Sequence, residues 1–331
     1  MPNMPRRALL TLLLWTSAVC AQTPACVGSA APPYQGPLFD AMAQTDQWLD
    51  IDSAVATAKR NGVTGIALFA RVHKKQDGRS LVNHAAEKNP GFILVGAPKL
   101  FDMRGDLDNS YVSDVLKGVD AHRYAFVGEI LYTHGDKSGG EVTASGERYI
   151  DPTRAGTSKL ISGLQGKSVP VMTHWEVYDW ERDRPLFDKL YSTYPDQVFV
   201  WPHLGFADAQ QATAMLSAHP NVWATLSKKE KAGENLADSD KEDDIGPPVI
   251  DACGVLQPDW KAVMIRFQDR LLFATDAHKA GRWSRYADIV TRWRAILGQL
   301  PPDVAEEIAY RNAAKLYGVT PGSATPAQAL H

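Results

Sequence analysis

Eight short apolar runs alternate with helix-like segments along most of this 331-residue chain. The runs are continuous, as in Ile66-Ala67-Leu68-Phe69-Ala70, rather than apolar at every second position. Continuous runs suit strands buried on both faces, and strict strand–helix alternation implies a parallel sheet joined by helical crossovers. The pattern predicts strands over 37–43, 63–72, 92–97, 126–132, 169–174, 198–203, 222–226 and 271–276. Helices are predicted over 51–61, 81–88, 111–122, 154–164, 186–194, 208–219, 260–268 and 286–297, with an extra one over 303–317. Eight such units favour closure into a (β/α)8 barrel, and an open doubly wound sheet is the competing arrangement. No Gly-x-Gly-x-x-Gly follows the first strand, which argues against a dinucleotide site.

Composition fits one large core: 44% of residues are hydrophobic and 22% charged. The formal net charge is −3, with no basic stripe of the kind nucleic acids require. The first residues read as a secretory leader. Arg6-Arg7 precedes an apolar stretch from Ala8 to Val19, and Val19-Cys20-Ala21 offers small residues for cleavage. The expected organisation is a signal peptide over 1–21, a linker over 22–37, the barrel over 38–319 and a flexible tail over 320–331. Export places the mature protein in the periplasm or outside the cell, with no membrane attachment after cleavage. In that oxidising setting Cys26 and Cys253 either pair or stay as thiols, and sequence alone leaves both open. Two segments break the rhythm. Residues 133–151, which include Gly139-Gly140, read as a polar loop, and the charged stretch 228–248 reads as a solvated loop.

Four of the apolar runs stop on groups that bind metals or move protons: Glu129, His174, His203 and Asp276. Their spacing places them at the ends of strands four, five, six and eight, the rim where barrel enzymes build their sites. Two imidazoles and a carboxylate make a three-ligand zinc site with a fourth position left for water. Such an ion brings the pKa of its water to about 7 and polarises a carbonyl, leaving Asp276 to take and return the proton.

On these residues the chain resembles the amidohydrolase superfamily, and within it the amidohydrolase-related group. The features are Val127-Gly128-Glu129, Thr173-His174, His203-Leu204-Gly205, Ala274-Thr275-Asp276 and the closing Tyr310–Gly318 segment. The resemblance implies a (β/α)8 barrel and a hydrolase of small molecules that uses one divalent ion, expected to be zinc. It implies Glu129, His174 and His203 as ligands. A water activated by the ion attacks an amide, ester or lactone carbonyl, with Asp276 as general acid/base.

One departure stands out. The group opens with His-x-His on strand one, where this chain has Phe39-Asp40-Ala41-Met42-Ala43-Gln44. A thioether and an amide are poor zinc ligands, so the metal position served by that pair should be lost. Gln44 is expected to orient the water or Asp276. Two other readings stay open: a metal-independent lactonase on the same barrel, and a non-catalytic periplasmic binding relative.

His278 is a candidate substrate contact. Trp175, flanked by Trp180 and Trp201, is a candidate aromatic wall. Arg71 and Lys99 end strands two and three and suit a substrate carboxylate. His134 either reaches the pocket or faces solvent, and solvent is the expected place. No Gly-x-Ser-x-Gly elbow, reactive cysteine signature or calcium loop is present.

Overall fold

The computed structural model describes residues 28–29, 31–136, 143–230 and 246–319. Eight parallel strands form the barrel. They are β1 (Leu38–Thr45), β2 (Val63–His73), β3 (Ile93–Ala97), β4 (Phe126–Leu131), β5 (Val171–His174), β6 (Phe199–Trp201), β7 (Val222–Thr225) and β8 (Leu271–Leu272). Each neighbours the next in sequence order, so every crossover is local. Three backbone hydrogen bonds bridge the seam between β8 and β1. Ala41 N donates to Phe273 O (3.0 Å), Asp276 N to Met42 O (2.9 Å) and Gln44 N to Ala277 O (2.7 Å). The fold is the (β/α)8 barrel that the alternation predicts.

The helices are α1 (Ile51–Arg60), α2 (Arg79–Lys88), α3 (Asn109–Asp120), α4 (Ala155–Leu164), α5 (Trp180–Thr193), α6 (Ala209–Ala218), α7 (Pro258–Arg266) and α8 (Tyr286–Leu297). Their amphipathic spacing sets what they bury: α1 turns Ile51, Ala54, Val55 and Ala58 inward, one stripe at helical period. Its start is fixed by Asp50, whose side chain accepts from Ser53 N at 3.1 Å. Asp208 and Gln211 form a reciprocal capping box on α6.

Two layers of core follow. The larger lies between strands and helices. The smaller fills the barrel with Phe39, Ala41, Met42, Phe69, Phe126, Met172, Val200 and Leu272. The last helical segment meets this inner layer. The sequence predicts one helix over 303–317, but Pro302–Glu306 and Asn312–Tyr317 are joined by a wider π turn at Glu307–Arg311. That turn carries Tyr317 onto the inner layer, 5.8 Å from Phe39 and 5.3 Å from Phe126 between ring centres. The Tyr317 hydroxyl donates to Ala41 O at 2.9 Å.

Residues expected to be loop turn out to be ordered. Thr133–Asp136 and Thr143–Tyr149 pair as an antiparallel hairpin after β4; residues 137–142 of the expected loop lie outside the described residues. The charged stretch also departs from a solvated loop where it begins. Lys229 and Glu230 are fully buried, Glu230 Oε1 accepting from Arg282 Nη2 at 2.8 Å. Residues 231–245, the expected leader and the expected tail lie outside the described residues. The end of the expected linker is strapped to the barrel, with Tyr34 N donating to Arg294 O at 2.9 Å. Cys253 is disulfide-bonded, whereas Cys26 lies outside the described residues. Among the described residues no helix is long and apolar enough to cross a membrane.

Candidate metal centre and proton-transfer site

Glu129 sits on β4 where the register with β5 shifts, between Val127 and Ile130. A bulge of this kind re-aims a side chain, and here the fully buried carboxylate meets two imidazoles. Oε1 lies 2.6 Å from His174 Nδ1 and 3.3 Å from His203 Nε2. The ligand atoms of Glu129, His174 and His203 all fall within 4.8 Å of one another, and all three residues are buried. His174 ends β5. His203 comes after β6 has ended at Trp201, in a turn with left-handed backbone at His203 (φ 56°), Leu204 (φ 51°) and Phe206 (φ 63°). Gly205 shares that conformation, and a Cβ there would collide with the Trp175 carbonyl and the Trp201 indole, which accounts for the glycine after His203-Leu204. Lys228 (φ 63°) and Asp276 (φ 47°) are left-handed too. Strained backbone held in place by packing gathers at functional sites.

Each ligand is braced from behind. His174 Nε2 lies 2.9 Å from Glu176 Oε1, whose other oxygen accepts from Gly135 N at 2.9 Å. His203 Nδ1 lies 2.8 Å from Ser227 Oγ, and His203 N donates to Thr225 Oγ1 at 2.9 Å. Carboxylate and hydroxyl partners of this sort fix the ring orientation and tautomer of metal-binding histidines. The far oxygen of Glu129 accepts from the Lys99 ammonium and from Gln44 Nε2 (3.2 Å). Gln44 Nε2 also donates to Asp276 Oδ1 at 2.5 Å. That orientation is set by chemistry, because the flipped amide would turn its oxygen toward two carboxylates. Among the described residues it leaves Gln44 Oε1 buried with no hydrogen-bond partner, an unmet acceptor beside the ligands.

Asp276 receives Lys228 Nζ at 3.1 Å, and His203 Nε2 stands 3.8 Å from its Oδ2. Burial by itself would push both carboxyls up. Lys99 and His174 instead hold Glu129 well below the usual carboxylate range, and Lys228, His203 and His278 do the same for Asp276. Burial drives His203 down to about 4, so its imidazole is neutral at neutral pH, the form that binds metals. For His174 the two flanking glutamates outweigh burial and raise it. A donor set of one ionised carboxylate and two imidazoles, with a spare acceptor alongside, fits a divalent ion of the zinc type.

Over the site lies a cavity of about 280 Å³, whose wall includes Gln44, His174, His203, Asp276 and His278. The amidohydrolase family pattern matches residues 124–319, more than half of the chain and the span that carries Glu129, His174, His203 and Asp276. The chain belongs to the amidohydrolase family. Solved structures of the same fold include an assigned 2-pyrone-4,6-dicarboxylic acid hydrolase from Pseudomonas putida. It is 15% identical with a TM-score of 0.54, over 86% of this chain and 98% of the other. The 2,6-dihydroxybenzoate decarboxylase from Rhizobium is 11% identical with a TM-score of 0.53, over 86% and 99%. The TatD homolog YjjV from Escherichia coli is 13% identical with a TM-score of 0.54, over 86% and 98%. At such identities the likeness is one of fold. A search of curated protein sequences finds no match.

Within this amidohydrolase the expected site residues separate. Glu129, His174, His203, Gln44 and Asp276 meet at one point; His278, Arg71 and Lys99 line the cavity. His278 Nδ1 lies 2.8 Å from the Asp276 carbonyl, so it braces the same turn. Trp175 is a correction. Its ring is fully buried, stacked 4.7 Å from Trp201 and 4.6 Å from Phe187, and it is core rather than cavity wall. His134 is another, since the hairpin turns it into the cavity, 5.5 Å from the His174 ring, instead of into solvent. Met42 packs in the inner core. Sequence reasoning missed Lys228, Glu176 and Arg148. Glu176 carried a weak signal, two residues past His174 on the same face of an extended chain. Lys228 and Arg148 carried none, being charges in segments expected to be loops.

Proposed function

We propose that this amidohydrolase is a hydrolase of small molecules in which Glu129 Oε1, His174 Nδ1 and His203 Nε2 hold one divalent ion, zinc by preference, and Asp276 moves the proton. The observation that carries the reading is the convergence of those three buried ligand atoms within 4.8 Å, with Asp276 at their edge. When bound, the ion supplies Lewis acidity for a water and for an amide, ester or lactone carbonyl. The rest falls to the chain. Lys228 and Gln44 keep Asp276 ionised and aimed, so that it accepts a proton from the attacking water and passes it to the leaving group. Lys99 neutralises the oxygen of Glu129 that faces away from the imidazoles. Glu176 holds His174 by Nε2, freeing Nδ1 for the ion.

The test is elemental analysis of the purified protein with turnover of an ester, amide and lactone panel. About one zinc per chain, with activity lost on chelation and restored by zinc, supports the reading; a metal-free active protein refutes it. One observation favours a second reading, metal-independent lactone hydrolysis. Lys99 and Lys228 already offset Glu129 and Asp276 without an ion. That reading requires chelator-resistant activity confined to lactones. The leader supports an exported protein, checked by sequencing the mature N-terminus, expected just after Ala21.

A further inference from the structure

We infer that the substrate carries a carboxylate, held on the cavity wall by Arg148 and Arg71 around the Phe101 ring. This rests on the hydrolase reading of the same site and names its substrate class. Among the described residues the cavity wall includes Arg71, Lys99, Arg148, Lys228 and Lys279; Lys99 is paired with Glu129 and Lys228 with Asp276. Three of the cations crowd a single ring. Arg71, Lys99 and Arg148 lie 4.9, 5.0 and 5.1 Å from the centre of Phe101.

The backbone builds this cluster. Lys99–Leu100 pairs in parallel with Arg71 and Val72, setting Arg71 beside Lys99. The hairpin after β4 brings in Arg148 opposite His134, and Gly105 N donates to Tyr149 O at 2.8 Å to dock that strand beside the Phe101 segment. Arg148 gives one N–H to the Phe101 carbonyl, its one hydrogen bond among the described residues, so most of its planar fork is open to a ligand. A planar fork matches a carboxylate in two parallel hydrogen bonds.

Burial, then Arg104 and Arg71, push Arg148 down, with Asp102 opposing. Lys99 connects the two halves of the site, touching Glu129 with its ammonium while it lies over Phe101. A carboxylate at Phe101 therefore sits one side chain away from the reacting carbonyl. The cavity, about 280 Å³, lies at the small end for ligand sites. Together these features describe a compact, planar acid.

Isothermal titration of the purified protein with isophthalate, neutral isophthalamide and phenyl phosphate tests this. Isophthalate is expected to bind at least tenfold more tightly than either of the others. Arg148→Gln and Arg71→Gln should each weaken it about tenfold, Arg148→Lys less, and exposed Lys189→Gln not at all. Metal content should stay unchanged in every variant. Equal affinity for isophthalate and isophthalamide, tighter phenyl phosphate, no isophthalate binding, or indifference to all three arginine variants overturns the inference. Such a result in a metal-loaded, active protein leaves the hydrolase reading standing. Arginine-dependent isophthalate binding in a metal-free protein overturns only the metal reading.

Discussion

Asp40 is the clasp of the barrel seam, and removing it should weaken the fold in a pH-dependent way. Its carboxylate is fully buried on β1 and accepts four hydrogen bonds, from Thr275 N (2.9 Å), Thr275 Oγ1 (2.6 Å), Tyr286 OH (2.9 Å) and Met42 N (3.3 Å). Three of these donors belong to residues beyond β8, where regular pairing has already stopped at Leu272. Asp40→Ala strands the two backbone N–H groups and the Tyr286 hydroxyl in a dry interior. At about 2 kcal/mol for each orphaned group, the gross cost is about 6 kcal/mol. Burial offsets part of this, having pushed the Asp40 carboxyl from 3.8 up to about 6. A folded-state value raised above the unfolded one gives stability that is complete below pH 4 and is lost as pH rises through 6. Relief of that penalty is worth about 1.5 kcal/mol at pH 5 and about 3 kcal/mol at pH 7.5. The net cost of Asp40→Ala is therefore about 4.5 kcal/mol at pH 5 and about 3 kcal/mol at pH 7.5. Urea unfolding followed by tryptophan fluorescence at the two pH values measures both. Asp40→Asn keeps one acceptor and should fall between wild type and Asp40→Ala. A cost below about 1 kcal/mol at both pH values, or one that grows with pH, refutes the reasoning.

Other outcomes follow from the same geometry. His174→Ala should reduce bound zinc from about one per chain to near zero by elemental analysis. Asp276→Asn should keep the ion while turnover falls by about a hundredfold or more. Lys228→Met removes the cation that holds Asp276 below the usual carboxylate range, so the acidic limb of the pH–rate profile should move to higher pH; an unmoved limb dissociates the pair. Trp175→Ala should cost about 3–5 kcal/mol of stability in urea, because it empties a core stack, while leaving KM unchanged.

Much of this protein was legible in one dimension. Continuous apolar runs separated by helical periods point to buried parallel strands, and eight such units favour closure over an open sheet. Glu129, His174, His203 and Asp276 could be named because each lies on or just beyond a strand whose direction the pattern already gives, so their common rim followed from topology alone. The predicted end of β8 at residue 276 overshoots the strand, which stops at Leu272; beyond it residues 273–277 meet β1 through three backbone hydrogen bonds that the Asp40 side chain reinforces. Periodicity reports strands and says nothing of a side chain that reinforces an irregular seam.

Tertiary structure decided what stands around those four groups. Trp175 follows a ligand immediately, yet the stack with Trp201 and Phe187 turns it into the core. Lys228 opens a segment that reads as solvated, yet a left-handed backbone and the Asp276 carboxylate draw it inside. Arg148 and His134 reach the cavity because an antiparallel hairpin forms where composition suggested a loop. Strand periods carry direction along the chain, so sequence alone determined the barrel and its rim groups. Side chains outside a repeating element have no such direction, and their places are settled only when distant backbones and opposite charges meet.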